Sequence, residues 1–295
     1  MASVTTKTPA GARARVPMRY LDFLGELHAR LRPRTYLEVG VRGGHSLARA
    51  RPQTVSVGID PEFAIKVPLR GTVSLERTTS DEYFARRDAA DWLGGEVELA
   101  FIDGMHLFEF ALRDFINVEK HCTWSSVIVF DDMFPRNVDE AARDRHTNAW
   151  TGDVFHMQHV LREYRPDLTV LVADTQPTGL LLVTGLDPAS TVLEDAYDEI
   201  VERYVKDDPQ DVPDDVLHRA GALDPAALLR SPLWGCLHRG HLPFHPRDKG
   251  LEEIQEALTQ PDAYRRRRRA VRARVQREAR GLTRRTQARV AGRKP

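Results

Sequence analysis

Tyr36-Leu-Glu-Val-Gly-Val-Arg-Gly-Gly-His-Ser46 decides how this chain folds. Thr35 to Gly40 reads as a β-strand, and Gly40, Gly43 and Gly44 then let the backbone turn tightly and approach a ligand. Ser46 to Ala50 reads as the start of a helix. A strand, a glycine loop and a helix are the first half of a βαβ unit, so the flanking sequence has to supply parallel strands joined by right-handed crossovers.

It does so in both directions. Upstream, Tyr20, Leu21, Phe23, Leu24, Leu27 and Leu31 recur at helical spacing within Met18 to Leu31, and Pro33 closes the run. Downstream, β-type runs cover Val55 to Asp60, Val73 to Thr79, Val97 to Asp103, Ser126 to Asp132, Thr169 to Thr175 and Gly179 to Leu186. Between them, a turn near Glu62 and helices over Asp81 to Trp92, Leu107 to His121 and Asp153 to Tyr164 complete the alternation. Only Gln176-Pro-Thr178 separates the last two strands, which allows a hairpin and forbids a parallel crossover, so the seventh strand must run antiparallel. The expected fold is α/β: a Rossmann-like seven-stranded, mostly parallel sheet with an antiparallel last strand, helices on both faces and a helical C-terminal extension. The chain divides into a flexible leader (1–17), a ligand-binding domain (18–186), an appended helical region rich in Pro joints (187–263) and an Arg-rich tail (264–295).

Asp60 ends the second strand 22 residues after Glu38, where an acid can accept from both hydroxyls of a ribose or can simply cap the loop. Glu38 would repel the phosphates of a dinucleotide but attract a sulfonium and an ammonium. Ser46 and the first amides of the following helix suit a carboxylate. Asp103, in Phe101-Ile-Asp-Gly-Met-His106, and Asp131 and Asp132, in Phe130-Asp-Asp-Met133, end neighbouring strands on one sheet edge. Like charges converging there resist ionisation unless a cation neutralises them, and Mg2+ takes a few carboxylates plus waters and substrate oxygens. The alternative is that Asp131-Asp132 caps a loop and Asp103 lines the donor pocket.

The Tyr36–Ser46 segment, the Asp60 distance and the antiparallel ending resemble class I S-adenosylmethionine-dependent methyltransferases. The 28-residue step from Asp103 to Asp131 with Asp132 adjacent resembles the metal-dependent O-methyltransferases among them, including catechol-type and sugar or antibiotic-tailoring enzymes. The resemblance covers about residues 18–186. It implies S-adenosylmethionine on Glu38, Gly40, Gly43, Gly44, Ser46, Asp60 and, on its adenine side, Ser80. It also implies Mg2+ or a similar cation on Asp103, Asp131 and Asp132. The third position is Asn in catechol-type enzymes, and Asp132 is nearer the sugar-modifying group. His106 stands where catechol-type enzymes place a Lys base, and an ordinary histidine pKa of about 6.5 suits proton removal near neutrality. The alternative for His106 is a helix-start residue bonded to the loop. In Pro135 to Asp153, where relatives carry an acceptor-binding flap, Arg136, Asn137, His146, Trp150 and Asp153 are the side chains suited to a polyhydroxylated acceptor; the alternative is a solvated loop with Trp150 tucked into the core.

The reading is therefore O-methyl transfer to a hydroxyl of a sugar or glycosylated natural product. Three others stay open: a metal-independent small-molecule methyltransferase, an RNA-modifying or nucleic-acid-binding protein, and an NAD-linked dehydrogenase. The formal net charge is zero, yet residues 264–295 hold thirteen Arg and one Lys against Glu278. That tail carries +13 and the remainder −13, so the tail has an anionic partner available in a nucleic acid, a membrane surface or the body itself. Cys122 and Cys236 lack metal or disulfide spacing, and the polar N-terminus lacks a secretory core, so a cytoplasmic protein with reduced, packed cysteines is expected. A homo-oligomer remains open.

Overall fold

The computed structural model describes residues 17–86, 89–241 and 245–291. Most of the expected leader and the last four residues of the tail lie outside this range.

Seven strands, β1 (Thr35–Val39), β2 (Val55–Ile59), β3 (Thr72–Glu76), β4 (Val97–Ile102), β5 (Cys122–Phe130), β6 (Thr169–Ala173) and β7 (Leu180–Thr184), form one sheet in the order β3-β2-β1-β4-β5-β7-β6. The β1–β2, β2–β3, β1–β4 and β4–β5 ladders are parallel. β7 is antiparallel to both β5 and β6, as the short Gln176–Thr178 connection required. Every residue of β1, β4 and β7 is buried, because helices cover both faces and leave no solvated side to alternate toward. The chain passes from β1 outward to β2 and β3, then returns to β4 on the other side of β1. The loops after β1 and β4 therefore flank a topological switch point, where open α/β sheets bind ligands.

One face packs Phe108, Leu112 and Phe115 of the helix Phe108–Glu119 and Val160 and Leu161 of the helix Met157–Tyr164 against the sheet. The other packs Phe23, Leu24 and Leu27 of the helix Tyr20–Leu31. The region after residue 186 is helical, as expected, but it divides between the two faces. Ile200 and Val216 join the first core; Leu228, Trp234, Leu237 and Ile254 join the second. Two smaller departures lie near the strands. β5 begins at Cys122, four residues earlier than its apolar pattern shows, because Thr123, Ser125 and Ser126 break the run. The expected helix after the glycine loop is only a single 3-10 turn, Leu47–Arg49. Cys122 and Cys236 are free and buried. Among the described residues, no helix is long and apolar enough to cross a membrane.

His28 shows how tightly the second core closes. It is 1% exposed, its ring meets Tyr36 of β1 edge-on at 4.7 Å, and neither ring nitrogen has a hydrogen-bond partner among the described residues. Burial, reinforced by the charge of Arg51, lowers its pKa to about 3. In the unfolded chain His28 takes up a proton below its ordinary value of about 6.5, whereas the folded chain stays neutral until about 3. Stability should therefore fall as pH drops through this window, by up to about 1.4 kcal/mol per unit. Denaturant melts at pH 7 and pH 5 should show a smaller loss for His28→Leu than for the parent; an equal loss means that His28 is accessible to protons.

Candidate active site

The β1 and β4 loops meet at Gly40. Its φ is +85°, and a Cβ there would lie 1.9 Å from the Asp103 carbonyl oxygen, so only glycine lets the two backbones pass. Below this crossing Glu38 is fully buried. It accepts from Tyr36 Oη (2.5 Å), Ser46 Oγ (2.6 Å) and the Leu47 N–H. Burial outweighs these bonds and pushes its pKa up to about 8. Glu38 thus anchors the glycine loop from beneath.

Two expectations change as a result. Ser46 has one hydroxyl proton and gives it to Glu38, so it can accept from a ligand's ammonium but cannot donate to its carboxylate. The following 3-10 turn is too short to offer a helix N-terminus, and its Leu47 amide also serves Glu38. Gly44 takes a left-handed φ of +78°, and Gly43 accepts from the Lys66 N–H at 3.0 Å. The carboxylate of Asp60 accepts from the N–H groups of Val41 (2.9 Å), Arg42 (2.6 Å) and Glu62 (2.6 Å). Asp60 therefore shapes the loop from its open side, which is the loop-capping alternative. Oδ1 holds a single one of these bonds and retains a lone pair for a further donor.

Across the switch point, His106 stands between two acids. Its Nε2 is 3.1 Å from Asp103 Oδ1, and its Nδ1 is 2.9 Å from Asp132 Oδ2 and 3.1 Å from the Trp150 carbonyl. Burial alone would lower the imidazole pKa; the bonds and charges of Asp103 and Asp132 outweigh it and push the value up to about 11. The two carboxylates favour the protonated imidazole here, whereas a general base would have to be neutral. Asp103 and Asp131 are both pushed upward by burial, Asp131 further by the charges of Asp132 and Asp103. His106 (φ +57°) and Asp132 (φ +65°) both adopt left-handed backbone, a strain that clusters where function fixes geometry.

The closest group of ligand atoms differs from the expected metal set by one residue. Ligand atoms of Asp103, His106 and Asp132 lie within 4.8 Å of one another, and among the described residues no other such group forms. Asp131 stands aside from it: Asp131 is 7% exposed, and its Oδ1 accepts from the Asp132 N–H at 2.9 Å and Thr178 Oγ1 at 3.2 Å.

The flap lies against this centre, but most of its polar groups are occupied. The Trp150 ring stacks on His106 at 5.1 Å and 11°, and its Nε1 donates to the Ala142 carbonyl. A Cβ on Gly152 would lie 1.7 Å from the His106 carbonyl oxygen, so the flap passes directly over the β4 loop. Arg136 is bound by Glu140, Asn137 Oδ1 accepts from the Glu140 N–H, and exposed His146 meets the Asp144 carbonyl. Asp153 is fully buried between the Phe108 N–H and Arg143, which also pairs with Glu109. Arg136, Asn137 and Asp153 therefore hold the flap's own shape; Trp150 alone of the five is seated on the acid cluster.

Two residues at the site escaped the sequence reading. Tyr20 opens the first helix with its ring stacked near Phe101 at 6.4 Å, and its phenol pKa is raised by burial and by the charges of Asp103, Asp131, Asp132 and Glu38. Asp114 is 3% exposed, lines the same small cavity as Asp103 and Asp131, and its Oδ1 has no partner among the described residues. Ser80, expected beside adenine, bonds Asp114, whose pKa burial pushes up to about 7. A signal for Asp114 existed: it shares the buried stripe of its helix with Ala111, Phe115 and Val118.

Residues 37–133 match a family model described as a methyltransferase domain. This part of the chain is similar to a methyltransferase domain. Its match runs from β1 to the residue after Asp132, so it takes in both halves of the switch point. No curated protein matches the sequence. Solved structures with a similar arrangement include the O-methyltransferase TomG from Streptomyces achromogenes, involved in tomaymycin synthesis and solved with S-adenosylmethionine. It is 20% identical with a TM-score of 0.39, over 55% of this chain and 78% of that one. An O-methyltransferase from Bacillus cereus in complex with S-adenosylhomocysteine is 15% identical (TM-score 0.38, 56% and 80% covered). A putative O-methyltransferase from Klebsiella pneumoniae is 14% identical (TM-score 0.41, 60% and 82% covered). The strand order and the antiparallel β7, rather than these partial superpositions, carry the assignment of the class I methyltransferase fold.

The role of Asp153 separates cleanly by experiment. Asp153→Ala should lower the unfolding free energy by about 3 kcal/mol, because Arg143 loses a buried partner. An unchanged melt with a raised KM for the acceptor would instead make Asp153 a substrate contact.

Proposed function

We propose that this chain transfers the methyl group of S-adenosylmethionine to a hydroxyl oxygen, with a divalent cation such as Mg2+ on Asp103, Asp132 and His106, and that the acceptor is a sugar or a glycosylated natural product. The observation that carries this reading is the convergence of Asp103, His106 and Asp132 beside the glycine loop. The carboxylates of Asp103 and Asp132 fit a hard cation, which takes oxygen ligands; His106 would join them as a nitrogen donor only after giving up its proton, and the Asp131 carboxyl lies behind them.

Methyl transfer is a displacement in which the acceptor oxygen, the methyl carbon and the sulfur lie in line, so positioning supplies much of the rate. Asp60, with a free lone pair on Oδ1, is available to the ribose of the donor. Ser46 Oγ is available to its ammonium, and the donor's positive charge favours the ionised form of Glu38. A bound divalent cation lowers the pKa of the acceptor hydroxyl and fixes its direction. The Trp150 ring has His106 stacked on it and the Arg145 guanidinium 5.6 Å from its centroid, so a sugar would have to displace Arg145 to lie against its face, and the Tyr20 phenol is within electrostatic range of the acids.

The ion pairs of His106 favour a second reading: its imidazolium supplies the positive charge itself, and methyl transfer proceeds without metal. Chelation distinguishes the two. With metal dependence, EDTA treatment should cut turnover by about 100-fold or more, and added Mg2+ should restore it. Asp132→Asn should then lose that restoration while still binding S-adenosylhomocysteine by calorimetry. Undiminished turnover in EDTA would sink the metal reading in favour of the imidazolium.

A further inference from the structure

The arginines that methyl transfer leaves unused are gathered at the opposite end of the molecule. The helix Tyr20–Leu31 begins beside Gln176, next to the carboxyl end of β6, and ends just before the start of β1. Its far end, with Arg30 and Arg32, therefore lies at the sheet edge away from the carboxylates, about 17 Å along a five-residue strand. There it forms an open groove with Arg230, Ser231 and His238 of the C-terminal helices. Arg30 is shared with Glu26 at 3.2 Å, whereas Arg32 and Arg230 are exposed. The groove is built rather than incidental: His238 Nδ1 meets the Leu31 carbonyl at 2.8 Å, and Arg32 closes the helix with a left-handed φ of 49°.

The groove runs into the long helix Pro261–Ala291. Arg265 donates to the Arg230 carbonyl at 2.8 Å, which fixes the first turn of the helix against the groove wall. Arg265, Arg267 and Arg268 reach the acids Asp262, Glu256 and Glu253. Arg266, Arg269, Arg272 and Arg277 are exposed beyond them, and the helix is about 46 Å long at 1.5 Å per residue.

We propose that this groove and helix form one binding track for the phosphodiester backbone of a nucleic acid. Both parts of the track present exposed guanidinium groups, which match phosphate geometry through paired N–H donors. A membrane surface fits less well, because a helix that lies in a bilayer needs an apolar face. Val271 is the one large apolar side chain exposed on the described part of this helix. Among the described residues the track has no exposed tryptophan or tyrosine for base stacking: Trp234 in the groove is 3% exposed with its Nε1 bound to the Leu228 carbonyl, and Tyr264 is 2% exposed, which leaves the smaller His238 ring. Binding is therefore independent of base sequence and leaves the methyl-donor crevice free.

Fluorescence anisotropy of the full chain with a short labelled single-stranded RNA tests this. Contacts from Arg32, Arg230, Arg266, Arg269, Arg272 and Arg277 should give a log–log salt slope of roughly −4 and weaken binding about 300-fold between about 50 and about 200 mM salt. The double variant Arg32→Gln/Arg230→Gln should flatten the slope by about 1.4, with unchanged melting temperature and unchanged S-adenosylhomocysteine affinity. Sequence-scrambled RNA should bind equally. The proposal is overturned by absence of saturable binding at low salt, by an unaltered slope in the double variant, by phosphatidylserine vesicles outcompeting the RNA, or by arginine variants that change only the oligomeric state.

Discussion

Three like charges at the ends of two adjacent strands are the constraint around which this molecule is arranged. Asp103 follows β4, Asp131 and Asp132 follow β5, and parallel pairing of Ile102 with Phe130 forces them together. Burial penalises each charged form, and each charge raises the cost of the next. His106 answers this by standing between Asp103 and Asp132, and the left-handed backbone at His106 and Asp132 is the local strain that this geometry imposes. The flap is part of the same answer. Its Trp150 ring covers the imidazole, and Gly152 lets it pass the His106 carbonyl at a distance no other residue allows. A divalent cation and a protonated imidazole are thus rival solutions to one electrostatic problem.

The glycine loop obeys a different logic. Glu38 looked from its position like an acid facing a ligand. Its three hydrogen bonds turn inward, to Tyr36, Ser46 and Leu47, and its charge is held back by burial. Asp60 does the same from the outer side through the amides of Val41, Arg42 and Glu62. Two carboxylates on either side of one loop give it a fixed shape before any ligand arrives, so binding does not have to order it.

The sheet was legible because its signals are local. Apolar runs marked all seven strands, and a three-residue connection fixed the direction of β7. The placement of Asp103, Asp131 and Asp132 followed from strand ends in the same way. What stayed hidden depends on which side chains pair, near or far along the chain. Glu140, four residues from Arg136, and Glu109, 34 residues from Arg143, decide that these flap side chains are occupied. The substitution of His106 for Asp131 in the convergent set depends on side-chain direction, with Thr178, 47 residues away, holding Asp131 aside. The division of residues 187–263 between both faces rests on amphipathic helices whose apolar stripes fit either face equally well.

The polarity of the sheet also separates the two charged regions of the chain. Acids gather where parallel strands end, because those ends open the crevice at the switch point. The arginines gather where the first helix ends and the C-terminal helices pack over the strand starts. With the tail at +13 and the rest at −13, the body attracts the long helix electrostatically. The ion pairs to Asp262, Glu256 and Glu253 engage only its first turns, and Arg269, Arg272 and Arg277 stay in solvent. Exposed guanidinium groups on successive turns repel one another, and a polyanion lying along them relieves that repulsion.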